Sequence, residues 1–505
     1  MNNRLHVAIV VLLITLLSWP LAPHAIAQRR RSQAKPAAAS HKPIGDSSRD
    51  APRLGNLIAR LMSEGDVTGL SLAWIRDGKI YWARGFGLKD AGTKEAIDAS
   101  TMFEAASLSK PVFAYAVLKM VERGELDLDT PLSKYLPAYL ENDERLNLIT
   151  ARRVLSHTTG FPNWRPDGKP LVIMFAPGER FSYSGEGFVY LQKVVEHLTG
   201  QPLNDVMRKE VFAPLGMNDS TYIWQDAIAS RMALGHSQIG KSLPLRKSSE
   251  ANAAASLRTT PTDYAKFVIA VVNGTGLKAE TVRQMLTPQV KLDEGCVTCL
   301  GRKVMKPSTS LAWGLGVGLQ HTAQGDAFWH WGDNPGFKNF VIAFPQQKSG
   351  AVILTNSDNG LGIIPEIVKE MLGGNSPTFA WLSVEEYNSP GRRLRKAIGM
   401  VGVEAAVKQF REERRQHPDS FKANEGRINS LGYQYLRDKK IKEAIEIFKL
   451  NVELFPQSSN VYDSLGEAYM ENGERELAIQ NYQKAIEMNP ENQNAIEMLK
   501  KLQPK

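Results

Sequence analysis

Two short runs, Leu70 to Ile75 and Lys79 to Arg84, are rich in apolar and aromatic residues and meet at Asp77-Gly78. That dipeptide suits the tight turn of a β-hairpin, so the spacing predicts paired strands. From Ser107 the period lengthens to that of a helix. Val112, Ala116, Val117, Met120 and Val121 recur on one face, and Pro111 falls near the first turn, where a missing N–H costs little. A second helix is predicted through Val189, Leu191, Val194, Val195 and Leu198, stopped by Gly200. Strands return at Phe340 to Phe344 and Ala351 to Leu354. Strands first, helices between and strands last predict an α+β domain whose antiparallel sheet is closed by both ends of the segment.

Beyond Gly373 the pattern becomes wholly helical and repeats. Leu431 and Leu465, Gly432 and Gly466, Tyr435 and Tyr469, Ala444 and Ala478, Phe448 and Tyr482, and Pro456 and Pro490 are each 34 residues apart. The units Ile428-x-x-Leu431-Gly432-x-x-Tyr435 and Tyr462-x-x-Leu465-Gly466-x-x-Tyr469 resemble the tetratricopeptide repeat (TPR). Gly and Ala allow close helix approach while Tyr and Phe fill the gaps, giving an all-α array. Helices at Val401 to Arg414 and Asn494 to Leu502 are expected to cap it. The array either supports the preceding domain or holds a protein partner.

Length agrees with more than one core, since the chain has 505 residues. Arg4, an apolar run from Val7 to Trp19 and Ala25-Ile26-Ala27 predict a cleavable export signal over residues 1–27 and hence a periplasmic or extracellular protein. No other stretch is long and apolar enough to span a bilayer. The formal charge is +9. Residues 28–51, headed by Arg29, Arg30 and Arg31, read as a disordered basic linker. The remaining charge forms no stripe for nucleic acid. Cys296 and Cys299 predict a local disulfide in an oxidising compartment, with a redox-active pair as the alternative. The organisation expected is the α+β domain over 52–373, a helical connector over 374–424 and repeats over 425–505, the two units at 426–459 and 460–493.

Candidate chemistry begins at Ser107-Leu108-Ser109-Lys110. A serine and a lysine three apart share a helix face, so the amine can reach the hydroxyl and activate it once burial lowers its pKa. Spacing alone is weak, because Ser32 and Lys35 repeat it in the linker. Order adds specificity. Glu104 to Pro111, Glu122 to Asp129, Leu155-Ser156-His157-Thr158-Thr159-Gly160, Pro177 to Ser184 and His330-Trp331-Gly332 followed by Pro335-Gly336-Phe337 occur in sequence. Together they resemble the serine β-lactamase-related family, which includes penicillin-binding proteins and esterases, over roughly residues 55–370.

That resemblance implies a β-lactamase/transpeptidase-like fold with Ser107 as the acylated nucleophile and Lys110 and Tyr183 sharing proton transfer. It implies an oxyanion hole from the backbone of Ser107 and Asp333, with Gly332 in the third motif and His330 beside the leaving or recognition end of the substrate. Gly185 stands where the family's second motif usually ends in Asn, and His330 where Lys is frequent. Both changes point away from β-lactams and cell-wall peptides, toward a small ester, amide or D-amino-acid peptide. A β-lactamase or D-Ala-D-Ala carboxypeptidase is the alternative, and an inactive scaffold working through its repeats the second. His157 and Trp331 are expected in packing roles.

Three further patterns lose on context. Gly235 to Ser242 fits the phosphate-loop spacing, but no apolar strand precedes it and Pro244 follows. Ser357-Asp358-Asn359 comes after the third motif and reads as a turn. No Gly-x-Ser-x-Gly elbow occurs, and no His-Glu-x-x-His cluster marks a metal. The expected chemistry needs no cofactor.

Overall fold

The computed structural model describes residues 50–136, 139–140, 143–301, 306–418 and 421–502. The expected export signal, the basic linker and the Ser32/Lys35 spacing lie outside the described residues.

Nine strands form one antiparallel sheet. In chain order the strands are β1 (Gly69–Arg76), β2 (Lys79–Asp90), β3 (Glu95–Ala96), β4 (Phe103–Glu104), β5 (Arg258–Thr259), β6 (Val290–Asp293), β7 (Pro307–Trp313), β8 (Gly318–Thr322), β9 (Gly325–Asn334), β10 (Phe337–Phe344) and β11 (Ser349–Thr355). The large sheet runs β3-β2-β1-β11-β10-β9-β8-β7-β6, while β4 and β5 pair separately. Asp77 and Gly78 both adopt positive φ, +51° and +67°, the geometry of a primed turn that joins β1 to β2. β1 pairs antiparallel with β11, Leu70 opposite Thr355, so the first and last strands close the sheet on each other.

Both faces of that sheet are covered. Successive side chains of a strand point to opposite sides, so Ala73 and Ile75 of β1 enter one core while Leu70, Leu72 and Trp74 enter the other. The second core is roofed by α1 (Asp50–Glu64) and the helix Ile364–Leu372. The first is filled by α2 (Ser109–Glu122) with the helices Gly185–Thr199 and Pro261–Asn273. Here the structure differs from the expected one-faced α2. Phe113, Ala114, Tyr115 and Leu118 are as buried as Val112, Ala116 and Val117, and Val121 is only half-buried. α2 runs through the middle of the layer, so it needs apolar residues all round.

The C-terminal helices pair as Glu425–Arg437 with Ile441–Leu454 and Ser459–Glu471 with Arg475–Met488. Gly432 lies against Phe448, where a Cβ would come within 2.5 Å of the ring, and Gly466 lies against Tyr482 in the same way at 3.1 Å. The helix Gln493–Leu502 seats Ala495 in the core of the second pair. On the other side Val403–Gln416 is joined by Pro390–Val401, and both pack on Ile428, Leu431, Ile447 and Leu450. Among the described residues no helix is long and apolar enough to cross a membrane.

Candidate active site

Ser107 sits in a single 3-10 turn, Ala106–Leu108, that leads directly into α2. The residue before it, Ala106, has φ +52°, a left-handed conformation costly for a residue with a Cβ. The surroundings impose it. Ser109 Oγ donates to the Ala106 carbonyl at 2.6 Å and accepts from Leu257 N–H at 2.9 Å, while the Tyr222 and Tyr264 hydroxyls donate to the carbonyls of Ser109 and Leu108 at 2.7 and 3.0 Å. The Ser107 turn is therefore clamped from behind. Leu108 N–H donates to the Ala105 carbonyl at 3.1 Å, whereas the Ser107 N–H stands in the first turn, where the helix offers it no acceptor.

Lys110, one helical turn on, is completely buried. Its Nζ donates to Ser107 Oγ at 3.1 Å and to the Ala254 carbonyl at 2.8 Å. No carboxylate is paired with it among the described residues, and burial holds its pKa well below the usual lysine value. Burial thus favours the amine over the ammonium form, at hydrogen-bond distance from the Ser107 hydroxyl. Tyr183 lies over it, its ring 4.7 Å from Nζ. Burial raises the Tyr183 pKa, which Ser107 partly offsets and Asp333 reinforces, so the phenol keeps its proton. Its hydroxyl is buried without an aligned hydrogen-bond partner among the described residues.

Two histidines close the back of this group. His157 stacks on Tyr183 at 4.3 Å and its Nδ1 accepts from Ser184 N–H at 3.0 Å. Burial lowers its pKa well below the ordinary value, with Lys110 and His330 adding to the effect. His330 Nδ1 lies 2.7 Å from the Trp331 carbonyl, which makes Nδ1 the protonated nitrogen. Burial and then Lys110 pull His330 down to about 3, so it too is neutral.

An open cleft of about 580 Å³ leads to Ser107. Tyr183, Trp331 and Asp333 line it, but His330 does not. This corrects the expectation that placed His330 beside the substrate. Successive residues of β9 face opposite ways, so Trp331 takes the cleft while His330 is sealed inside. Gly332 presses on the segment that leads into Ser107, and a Cβ there would fall 2.3 Å from the Ala105 carbonyl oxygen. β8 pairs with β9 only as far as Trp329, whereas β10 pairs to Asn334. One edge of residues 330–334 is consequently unpaired by any strand among the described residues. Asp333 is ion-paired with Lys338 at 2.6 Å.

Several cleft residues were not singled out from the sequence. Asn163 and Trp164 come from the loop after Gly160, Arg246 to Arg258 from an irregular segment, and Val297 and Thr298 from between the two cysteines. Arg246 is paired with Glu104, which also accepts from Asn334 Nδ2 at 3.1 Å. Cys296 and Cys299 form a disulfide. Between them the Val297 carbonyl accepts from Tyr183 N–H at 2.9 Å, and Cys299 N–H donates to Ser182 Oγ at 3.0 Å, so this loop braces the Tyr183 segment. Only the position of Asn163-Trp164, directly after the Leu155–Gly160 motif and Pro162, offered a sequence signal.

The phosphate-loop match holds no cradle. His236 Nε2 accepts from Ala91 N–H at 3.0 Å and its Nδ1 lies 2.8 Å from the Asn356 carbonyl, so this segment ties loops together. Ser357-Asp358-Asn359 likewise forms a turn, with Asn359 Nδ2 bonded to the carbonyls of Asp66 and Gln238.

The beta-lactamase family model matches residues 54–363, and a tetratricopeptide-repeat model matches residues 459–492. Esterase EstB of Burkholderia gladioli is 31% identical over 208 residues, covering 35% of this chain and 53% of the esterase, so the likeness spans about half of that relative. Penicillin-binding protein 4 of Amycolatopsis lactamdurans is 26% identical over 341 residues, covering 62% of this chain and 87% of that protein. The fold is shared with the octameric penicillin-binding protein homologue from Pyrococcus abyssi, with a TM-score of 0.54 at 22% identity over 70% of this chain and 82% of that one. It is shared equally with D-alanine carboxypeptidase AmpC from Burkholderia cenocepacia, with a TM-score of 0.54 at 20% identity over 64% and 99%. With the family model covering more than half of its length, the chain belongs to the beta-lactamase family of serine hydrolases and carries a C-terminal tetratricopeptide-repeat region.

Proposed function

We propose that the protein is an exported hydrolase that forms an acyl-enzyme at Ser107 with a small ester, an amide or a D-amino-acid peptide. The observation that carries this reading is the Lys110 amine, buried, without a carboxylate partner among the described residues and 3.1 Å from Ser107 Oγ at the floor of an open cleft. As Oγ attacks the carbonyl carbon, Lys110 Nζ takes its proton. The carbonyl oxygen gains negative charge, which the backbone N–H groups of Ser107 and Asp333 receive. Tyr183, held protonated, gives its proton to the leaving group and takes one back from the Lys110 ammonium; Lys110, an amine again, accepts a proton from the water that attacks the acyl carbon and passes it to Ser107 Oγ as the ester bond breaks. Neither histidine takes part, since both are buried and neutral.

Esters and amides are favoured over substrates that need a fixed cation, because the third motif offers Trp331 rather than a lysine to the cleft. A carboxypeptidase would instead draw on Arg246 and Arg258 in the wall, but Arg246 is already engaged by Glu104. Labelling by a fluorophosphonate, followed by mass analysis of the adduct, tests the reading. Wild type should gain one adduct on Ser107 and Ser107→Ala none; equal labelling of the two would refute it.

A further inference from the structure

The short helix Ala151–Leu155 is closed by a turn, and two residues beyond its end stands His157. His157 N–H donates to the Val154 carbonyl at 3.0 Å and Thr158 N–H to the Arg153 carbonyl at 2.8 Å, the pair of bonds that ends a helix on a left-handed residue. That residue is usually glycine and sometimes asparagine, because a Cβ crowds the backbone at positive φ. Here φ is +55° and the residue is a fully buried histidine. Glycine would close the turn with less strain, so the turn alone does not account for the imidazole.

What His157 meets is the Tyr183 segment. Its carbonyl accepts from Ser182 N–H at 2.8 Å, and its ring Nδ1 accepts from Ser184 N–H at 3.0 Å. Between these two bonds the ring stacks on Tyr183, 4.3 Å away and tilted by 29°. A main-chain N–H only donates, so Nδ1 is the nitrogen without a proton. Ser184 is buried and caps the helix Gly185–Thr199, where its Oγ accepts from Gly187 N–H, so its own N–H depends on His157 among the described residues. Phe188 and Trp313 pack on the same ring at 5.2 and 5.1 Å. A phenylalanine at 157 would fill that space and leave Ser184 N–H without its acceptor.

From this arrangement we infer that His157 is a positioning residue, which fixes Tyr183 through both neighbouring peptides and through its ring so that the phenol reaches the leaving group. It gives and takes no proton in the reaction and acts only through Tyr183. The inference rests on the serine-hydrolase reading above and on Tyr183 as its proton donor. A misplaced phenol serves least where the leaving group is the stronger base: p-nitrophenolate departs readily without a proton, whereas phenolate gains from one. Loss of His157 therefore changes the preference between leaving groups, which a general loosening of the fold does not.

The test compares phenyl acetate with p-nitrophenyl acetate on full-length protein. Both deliver the same acetyl group, so the ratio of their kcat/KM values reads how well the leaving group is protonated, and the folded fraction of a preparation cancels. His157→Gly suits the left-handed backbone and removes ring and acceptor together. His157→Asn tolerates the same backbone and returns an acceptor oxygen one bond beyond Cγ, as Nδ1 is. The phenyl:p-nitrophenyl ratio should fall about tenfold or more in His157→Gly and recover most of that loss in His157→Asn. Tyr183→Phe should lower the ratio at least as far, and adding His157→Gly to it should change the ratio no more. An unchanged ratio in His157→Gly, no recovery in His157→Asn, or a further fall in the double variant would each overturn the role of His157. Absence of any Ser107-dependent p-nitrophenol release from wild type would instead overturn the hydrolase reading beneath it, and a wild-type ratio in Tyr183→Phe its choice of proton donor.

Discussion

A lysine sealed from water must be repaid for its lost solvation, and Lys110 receives only a hydroxyl and one carbonyl in exchange. Burial therefore favours the amine over the ammonium ion. In the unfolded chain the same side chain titrates near about 10.4, so between its lower folded value and that pH the unfolded state binds the extra proton. The sign follows directly: Lys110 costs stability at neutral pH, and the cost fades as pH rises toward about 10.4. Lys110→Met, similar in volume and without charge, should melt above wild type at pH 7, with the gap closing at alkaline pH. The same substitution should lower ester hydrolysis by about 10³-fold, within the range for loss of a positioned base. Thermal unfolding at several pH values and kcat/KM on one ester check both halves; a variant that is less stable at pH 7 would show that Lys110 is not held neutral. In wild type, kcat/KM should fall on the acid side as Lys110 becomes protonated.

Elements rather than single residues bring the site together, and they differ in how plainly the sequence announces them. The Asp77-Gly78 hairpin and the 34-residue repeat are local or periodic signals, so pattern alone suffices for them. The Ser107/Lys110 pair is visible because one helical turn links it. By contrast, Asn163 and Val297 reach the cleft from loops with no period and Arg258 from the two-residue strand β5, placed there by packing across long stretches of chain. Even the burial of His330 depended on which face of β9 meets the core, which its motif could not reveal. Gly332 is where β9 packs against the segment leading into Ser107. A methyl group there would press on the Ala105 carbonyl at 2.3 Å, a backbone atom that cannot swing aside. Gly332→Ala should push β9 from Ser107 and reduce kcat/KM by about 10²-fold, the typical consequence of a shift near 1 Å at a reacting centre. Full activity in that variant would mean that the edge of β9 does not help position the substrate.

At the scale of the whole molecule, one buried carboxylate joins the hydrolase domain, the connector and the first repeat. Glu385 meets Arg395 Nη2 at 2.5 Å, Ser389 Oγ at 2.8 Å and Arg427 Nη1 at 3.3 Å, with Arg392 Nε at 3.6 Å. Arg427 belongs to the repeat helix Glu425–Arg437 and also donates to the Ser383 carbonyl at 2.6 Å. Arg392, from Pro390–Val401, reaches back to the Asn359 carbonyl of the turn beyond β11 at 3.3 Å. Burial alone would raise the Glu385 pKa, but Arg395 and Arg427 outweigh it and hold the carboxyl below its usual range. Such a depressed acid contributes stability above its unfolded value of about 4.3, and that contribution disappears as pH falls through the lower folded value. Removing the charge leaves three guanidinium groups crowded around a neutral amide, and breaking a buried pair in this way typically costs about 3–5 kcal/mol. Glu385→Gln should therefore lower the melting temperature of the full chain at pH 7 and approach wild type only in acid, while ester hydrolysis at 25 °C persists because no cleft residue touches Glu385. Unchanged melting at neutral pH would show that the repeat array is tethered to the hydrolase by its apolar contacts alone.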